Sequence, residues 1–460
     1  MAGVDQNPGD DSAEVGQSEL TDLSQAIDRS AWSPFQLRVF CLVGLAIILD
    51  GFDNQLLGFA LPALLAEWEL EKSAVAPVLS FTLIGMTCGA AIAGTLGDRF
   101  GRKNILIFCV ALFGFATILS SLSESLMMLG ATRIIAALGL GGAMPNAIAL
   151  IAEYTPSKSR ALAVSFVAVC VPLGGFVGGF VSAAVLPVMG WRALFLIGGA
   201  APVAFVIILV FLLPESPAYV LRQENGQDRV AALLRRMGLQ IRDGERFVDH
   251  ASSAITGARR RGAAALFSPA LRRDTIALGM AFLASLFAVY ACFNWLPTLM
   301  TQQGHDLATA SMALTMFNLG GVIAALFGGW AADRFGTRLP LSVLAASIIG
   351  SAALLALLPL GKIAMLIVLM VMGAGIAGSQ SVLTALAAHV YPTQIRSTGV
   401  GISIGFGRLG GILSAFVGAY VLAYGGSPAF FWTIALAGLS AMVAINVVSR
   451  HSASRVLADA

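Results

Sequence analysis

Four charged side chains stand inside long apolar runs of this sequence: Asp50, Asp53, Arg133 and Arg408. A charge removed from water is costly unless it is paired, hydrated or used, so these positions are where chemistry is to be sought first. Asp50-Gly-Phe-Asp53-Asn54 puts two carboxylates and an amide three and four residues apart, on one face of a helix. A carboxylate close to its protonation threshold is what proton coupling requires. The alternative is a structural ion pair that locks two helices. Arg133 opens Arg133-Ile-Ile-Ala-Ala-Leu-Gly139-Leu-Gly141, and Arg408 lies in Gly405-Phe-Gly407-Arg408-Leu-Gly410-Gly411. The guanidinium fork binds a carboxylate through two parallel bonds, so either arginine, facing a cavity, would favour an anionic ligand. The competing role for each is a salt bridge to Asp50 or Asp53 with no ligand contact. Both roles hold in turn if a ligand displaces the aspartate. Tyr290, Phe293, Asn294, Trp295 and Pro297 form an aromatic and amide cluster that could stack on a planar ligand or sit as an interfacial belt. Asn54, Tyr290, Asn294 and Trp295 thus join Arg133 and Arg408 as candidate ligands.

The elements that must position these residues are membrane helices. The chain is 57% hydrophobic and 12% charged, with a mean hydropathy of +0.84, against roughly a quarter charged in soluble domains. Apolar runs of about 20 residues, enough to cross a hydrocarbon core about 30 Å thick, recur along the chain. Twelve are predicted, from 37–61 to 428–449, and the long polar stretch Pro214 to Asp274 separates six from six. An amphipathic helix is expected within that stretch near Asp228 to Met237. The ten-residue alternation of a membrane β-barrel is not present. Fifty glycines are packing surface for close helix contacts.

All but five of the 28 lysines and arginines fall on one side of such a bundle; the others are Lys72, Arg192 and Lys362 on the opposite side and Arg133 and Arg408 within spans. That bias predicts cytoplasmic N- and C-termini. The predicted organisation is an acidic disordered cytoplasmic tail over 1–34, a six-helix half over 35–213, a cytoplasmic loop over 214–274, a second half over 275–450 and a tail over 451–460. The tail has no basic region followed by an apolar core, so it does not read as a signal peptide.

A repeat supports the division into halves. Gly94-Thr-Leu-Gly-Asp98-Arg99-Phe-Gly101-Arg102-Lys103 follows the second span, and Gly329-Trp-Ala-Ala-Asp333-Arg334-Phe-Gly336-Thr337-Arg338 follows the eighth. A carboxylate among glycines and arginines at a helix end can accept bonds from a neighbouring helix N-terminus and from guanidinium groups. Gly94, Asp98, Arg99, Gly101 and Arg102, with Asp333 and Arg334, are therefore candidates for a latch that breaks when the halves rock. Serving only as positive-inside anchors would explain the arginines but not the paired aspartates. Thr337 stands where the first copy has a basic residue, making the second cluster the looser one.

Several classes are excluded. Gly405, Gly407 and Gly410 spell GxGxxG and Gly401, Ser403 and Gly405 spell GxSxG, but both lie in one apolar span with no strand before them, so they read as packing glycines. Five cysteines lie in apolar runs without a CxxC pair, which argues against a zinc site or disulfide framework. His389 reads as an edge residue at the end of the tenth span rather than a proton relay. No nucleotide-binding, metalloprotease or nucleic-acid signature occurs, so neither an enzyme nor a nucleic-acid partner is expected, and no cofactor beyond a proton gradient.

The loop motif in both halves resembles the signature of the major facilitator superfamily, over about 410 of the 460 residues. Asp50-Gly-Phe-Asp53, the arginine and glycines of the fourth span and those of the eleventh are similar to the aromatic acid:proton symporter family. Met144-Pro-Asn-Ala-Ile-Ala-Leu150, Asn294-Trp-Leu-Pro297 and Gln380 through His389 resemble its hydroxyphenylpropionate permease branch. The resemblance implies an all-α membrane protein with twelve helices in two six-helix pseudo-repeats. It also implies proton-coupled uptake of aromatic carboxylates, such as hydroxyphenylpropionate, hydroxybenzoate, protocatechuate or gallate, across a bacterial inner membrane by alternating access. The expected partners are the substrate, protons and lipid, with one chain sufficient. A proton-independent facilitator or exporter, or a non-transporting membrane sensor, are the other readings.

Overall fold

The computed structural model describes residues 20–30, 32–242, 245–248, 265–269, 271–392 and 395–451. A short strand β1 (Leu20–Asp22) and helix α1 (Leu23–Asp28) precede the bundle. Helix α2 (Pro34–Glu67) begins at a capping box: the Ser33 hydroxyl accepts the Gln36 N–H at 3.3 Å, and the Gln36 side chain accepts the Ser33 N–H at 2.9 Å. Pro34, at the first position, lacks a donor the helix would leave unused. There follow α3 (Lys72–Phe100), α4 (Arg102–Ser121), α5 (Leu126–Tyr154) and α6 (Ser157–Leu212). The central segment carries α7 (Pro217–Leu221), α8 (Gly226–Arg236) and strand β2 (Arg246–Val248). The second half contains α9 (Arg272–Gln302), α10 (Leu307–Phe335), α11 (Arg338–Leu357), α12 (Lys362–Val390), α13 (Arg396–Tyr424) and α14 (Gly426–Val447).

Eleven of these helices are long and apolar enough to cross a bilayer. Helix α6 has 56 residues, about 84 Å at 1.5 Å per residue, which is far more than one crossing needs. It turns at Gly190, whose φ of 74° interrupts the helical backbone. Two spans are therefore joined there, and the crossings number twelve, as the apolar runs predict.

The duplication is visible in the packing. In the first half α2 lies on α6 and α3 on α5; in the second, α9 lies on α13 and α10 on α12, the same pairing of first with fifth and second with fourth span. Among the described residues, α2 with α9, α3 with α13 and α6 with α10 make the broadest contacts between the halves, and α2 also touches α10. Both α2 and α14 have their outer termini at one end of the bundle, here the terminal end; the opposite end is the distal end. At the distal end one apolar cluster runs through both halves, including Leu61, Leu64 and Trp191 with Leu299, Met300 and Phe430. Toward the terminal end there are two separate clusters, one in each half. The halves are welded distally and part toward the termini.

The expectation of a disordered tail over 1–34 is corrected at its end. β1 pairs in parallel with β2, Leu20 opposite Arg246, and Leu23, Ala26 and Ile27 of α1 are buried in the first half's terminal cluster. Asp28 accepts the Ser157 N–H at 2.5 Å. Acidic composition obscured a short apolar face, Leu23-Ala26-Ile27, spaced three and four. The stretches 1–19 and 452–460 of the predicted tails lie outside the described residues. Helix α8 covers the amphipathic segment expected there, with Val230 and Leu234 turned inward.

Candidate functional site

Three consecutive residues at the middle of α2 meet three different neighbours. Asp53 turns to α5, where Arg133 Nη1 donates to its Oδ1 at 2.7 Å. Thr117 of α4 donates to Oδ2 at 2.5 Å, and Arg133 Nη2 donates to the Asp53 backbone carbonyl at 3.1 Å. The guanidinium lies 5.6 Å from the Phe195 ring centroid. Arg133 is 1% exposed and Asp53 not at all. Every acceptor on the Asp53 side chain is used inside the first half. The geometry therefore shows the competing role for Arg133, a salt bridge to Asp53 buried within one half. It also takes Asp53 out of the open proton-coupling role expected for it, since both its oxygens are committed. A buried pair of this kind is held by the cost of leaving either member alone.

Asn54, the next residue, is half-buried and lies against the Tyr290 hydroxyl of α9. That hydroxyl is also within electrostatic reach of Arg408 and Asp50. Arg408 is half-buried on α13, between the halves, and the bond it makes is weak: Nη1 to the Met86 carbonyl of α3 at 3.4 Å. No described carboxylate forms an ion pair with it. Gly411, one turn further along α13, fits against the Tyr290 ring, where a methyl group would collide with it. Asp50 is 4% exposed, and its Oδ1 is buried with no hydrogen-bond partner. An unpartnered buried carboxylate oxygen is tolerated only with a proton or a water molecule on it. The structure thus brings together Asp50, Asn54, Tyr290 and Arg408, from both halves and at mid-depth.

Asn294 and Trp295 are not part of that group as expected. Trp295 is fully buried, packed on Gly418 of α13, and belongs to neither a belt nor a cavity wall. Asn294 is buried where α9 crosses α2 at Gly58. Both face helix contacts because α9 is enclosed all round at this level, from Ala291 to Met300.

Gln55, third of the three residues, was not singled out by the sequence. Its side chain forms two bonds with Asn318 of α10: Gln55 Nε2 donates to Oδ1 at 3.1 Å, and Asn318 Nδ2 donates to Oε1 at 2.7 Å. An amide deep in an apolar span was the available signal for Asn318; Thr117 gave none.

The loop motif forms a compact cluster at the terminal end. Arg102 bonds Asp98 at 2.9 Å and Glu153 of α5 at 2.6 Å, and Glu153 accepts the Ser216 hydroxyl. The Lys103 N–H donates to Glu215 at 3.0 Å. Gly101, with φ of 96°, and its counterpart Gly336, with φ of 74°, occupy the left-handed region, which explains a glycine at that place in both copies. Arg99 stacks over Phe100 at 5.2 Å, and Arg334 over Trp330 at 5.7 Å. Gly94 faces open space. Asp98 and Arg102 pair with each other and with Glu153, all within the first half, and the Asp98 side chain is 61% exposed. The Asp333 side chain lies outside the described residues.

Against known proteins, the family model of the Major Facilitator Superfamily matches residues 43–362 and 278–458. The chain belongs to that superfamily. It is a membrane transporter and not an enzyme. The chain is 38% identical to the 4-hydroxybenzoate transporter PcaK of Pseudomonas aeruginosa, over 88% of this chain and 91% of that one. It is 33% identical to a gallate transporter of Pseudomonas putida, over 92% and 94%. To the 3-(3-hydroxy-phenyl)propionate transporter of Escherichia coli it is 30% identical, over 92% and 97%. Among solved structures, the partially occluded inward open xylose transporter XylE from E. coli superposes with a TM-score of 0.70 at 18% identity, covering 91% of this chain and 99% of that one. That likeness is one of fold.

Proposed function

We propose that this protein imports small aromatic carboxylates together with protons, by alternating access across a bacterial inner membrane. The observation that carries the reading is Arg408: a half-buried guanidinium between the halves, without a carboxylate partner among the described residues, beside a tyrosine and an asparagine. Such a group offers a fork of donors to one carboxylate, and Tyr290 and Asn54 supply an aromatic face and polar contacts beside it. The relatives that carry hydroxybenzoate, gallate and hydroxyphenylpropionate favour the same ligand class.

Asp50 is the proton site in this reading, being a buried carboxylate with an uncommitted oxygen, within electrostatic reach of the same Tyr290 hydroxyl as Arg408. An anion entering against an inside-negative potential meets about 2.3 kcal/mol per 100 mV, and one proton on Asp50 cancels that charge. The lysine and arginine bias puts the terminal end in the cytoplasm, so the distally welded arrangement opens inward. The Asp98 and Arg102 cluster serves as a latch that engages the second half only when the terminal end closes. One chain contains both sides of the site, so a monomer suffices.

Uptake of labelled aromatic acids into proteoliposomes, with and without an imposed pH gradient, tests this directly. Arg408→Lys keeps the charge but loses the fork, and the concentration for half-maximal uptake rises about tenfold to a hundredfold, the loss expected for a charged hydrogen bond. A neutral amide analogue competes poorly. Competition by the amide as strong as by the acid, or uptake indifferent to the gradient, sinks the corresponding part of the reading.

A further inference from the structure

We infer that Gln55 and Asn318 are the gate residues that close the distal side of the transport path. Gln55 belongs to the first half and Asn318 to the second, and each is 1% exposed. Each amide gives the other both a donor and an acceptor, at 3.1 Å and 2.7 Å. The second Asn318 amide proton goes to its own helix, to the Leu314 carbonyl at 2.8 Å. Gly175 of α6 lies directly over the pair: a methyl group there would overlap the Gln55 amide and crowd the Asn318 oxygen. One turn distal, Thr315 packs onto Gly179 in the same way. Three helices from two halves thus converge where no side chain larger than hydrogen fits on α6.

The location separates this pair from the buried Arg133–Asp53 contact. Arg133 and Asp53 lie within one half and stay together however the halves move. Gln55 and Asn318 cannot stay together if the distal end opens, because the bond is between the bodies that separate. Uncharged amides suit a contact that must break in every cycle: on parting, each needs only water, whereas a broken ion pair would leave two bare charges in an apolar wall. Asn54, beside Tyr290 in the proposed substrate site, immediately precedes Gln55 on α2. A ligand that pulls on Asn54 therefore pulls on the gate with no intermediate element.

This inference rests on alternating access but not on the identity of the substrate, and its first readout needs none. Thr315→Cys is introduced into the full chain in lipid nanodiscs, and its reaction with a polar, membrane-impermeant maleimide is followed by mass spectrometry against the unsubstituted protein. With Gln55 and Asn318 intact, labelling is slow, since Thr315 is fully buried. Gln55→Leu or Asn318→Leu accelerates it about tenfold, two interhelical bonds of membrane strength being lost. The exchanged pair, Gln55→Asn with Asn318→Gln, restores slow labelling. Should a leucine variant fail to fold, Gln55→Met keeps the length of the side chain but removes both the donor and the strong acceptor, and carries the same expectation. Labelling unchanged in the single variants, or uptake showing a loss of apparent affinity at an unaltered maximal rate, overturns the gate and makes the pair a ligand contact. A failure of substrate uptake alone, with labelling accelerated as expected, would leave the gate standing and count against the proposed substrate class.

Discussion

Arg133 and Arg408 are the same residue type at similar depth in apolar helices, yet one is spent and the other available. Arg133 is fully enclosed by groups of its own half, which meet it with a carboxylate, a hydroxyl, a carbonyl and an aromatic ring. Arg408 sits where the halves meet, and a single long bond to a carbonyl is what holds it. The difference lies in the boundary each occupies. Inside a rigid half a charge can be satisfied permanently, and doing so cements the half. Between halves a permanent partner would oppose their separation, and Arg408 has no carboxylate partner among the described residues.

The largest effect that would sharpen this contrast is on folding. Arg133→Leu strands Asp53 in a dry interior and costs about 3–5 kcal/mol, read as a fall in melting temperature and loss of protein from the membrane. Adding Asp53→Asn recovers much of the loss, while Arg408→Leu leaves the melting temperature close to that of the parent. Similar destabilisation by both leucine variants would erase the distinction drawn here. A second effect separates the two aspartates. Asp50→Asn abolishes accumulation driven by a pH gradient but preserves exchange of labelled for unlabelled substrate across proteoliposomes; accumulation that persists, and still collapses with a protonophore, would remove Asp50 from coupling. The smallest effect is expected at the terminal latch, where Asp98 is mostly exposed. Asp98→Asn should slow the maximal uptake rate by about threefold to fivefold, the scale of an exposed ion pair, and leave the half-maximal concentration unchanged. A change in that concentration at constant rate would make Asp98 something other than a latch.

Apolar length and charge sidedness are one-dimensional properties, and they made the bundle legible: even the two spans fused in α6 were separable by the polar break at Gly190 to Arg192. The four intramembrane charges could be found because each is expensive where it stands. Partner choice could not be read, since Asp50 and Asp53 share a helix face and only the azimuth of α5 and α4 decides which one meets Arg133 and Thr117. The same limit misplaced Trp295, whose type suits a ligand cage or a belt while its helix is enclosed at that level. Gln55 and Asn318 lie 263 residues apart, and nothing local in either segment announces the other. Residues 20–30 hide their fold because their acidic surroundings mask three well-spaced apolar side chains, Leu23, Ala26 and Ile27.

The pairing of β1 with β2 also bears on how the protein is made. A ribosome delivers the chain in order, and every contact that holds Leu20 to Asp28, on β2, α6 and the first half's terminal cluster, is complete by Val248. Helix α9 does not begin until Arg272. The clasp therefore fastens the first six spans into a finished unit before any span of the second half has entered the bilayer, so the nascent second half meets a preformed template rather than an unfolded neighbour.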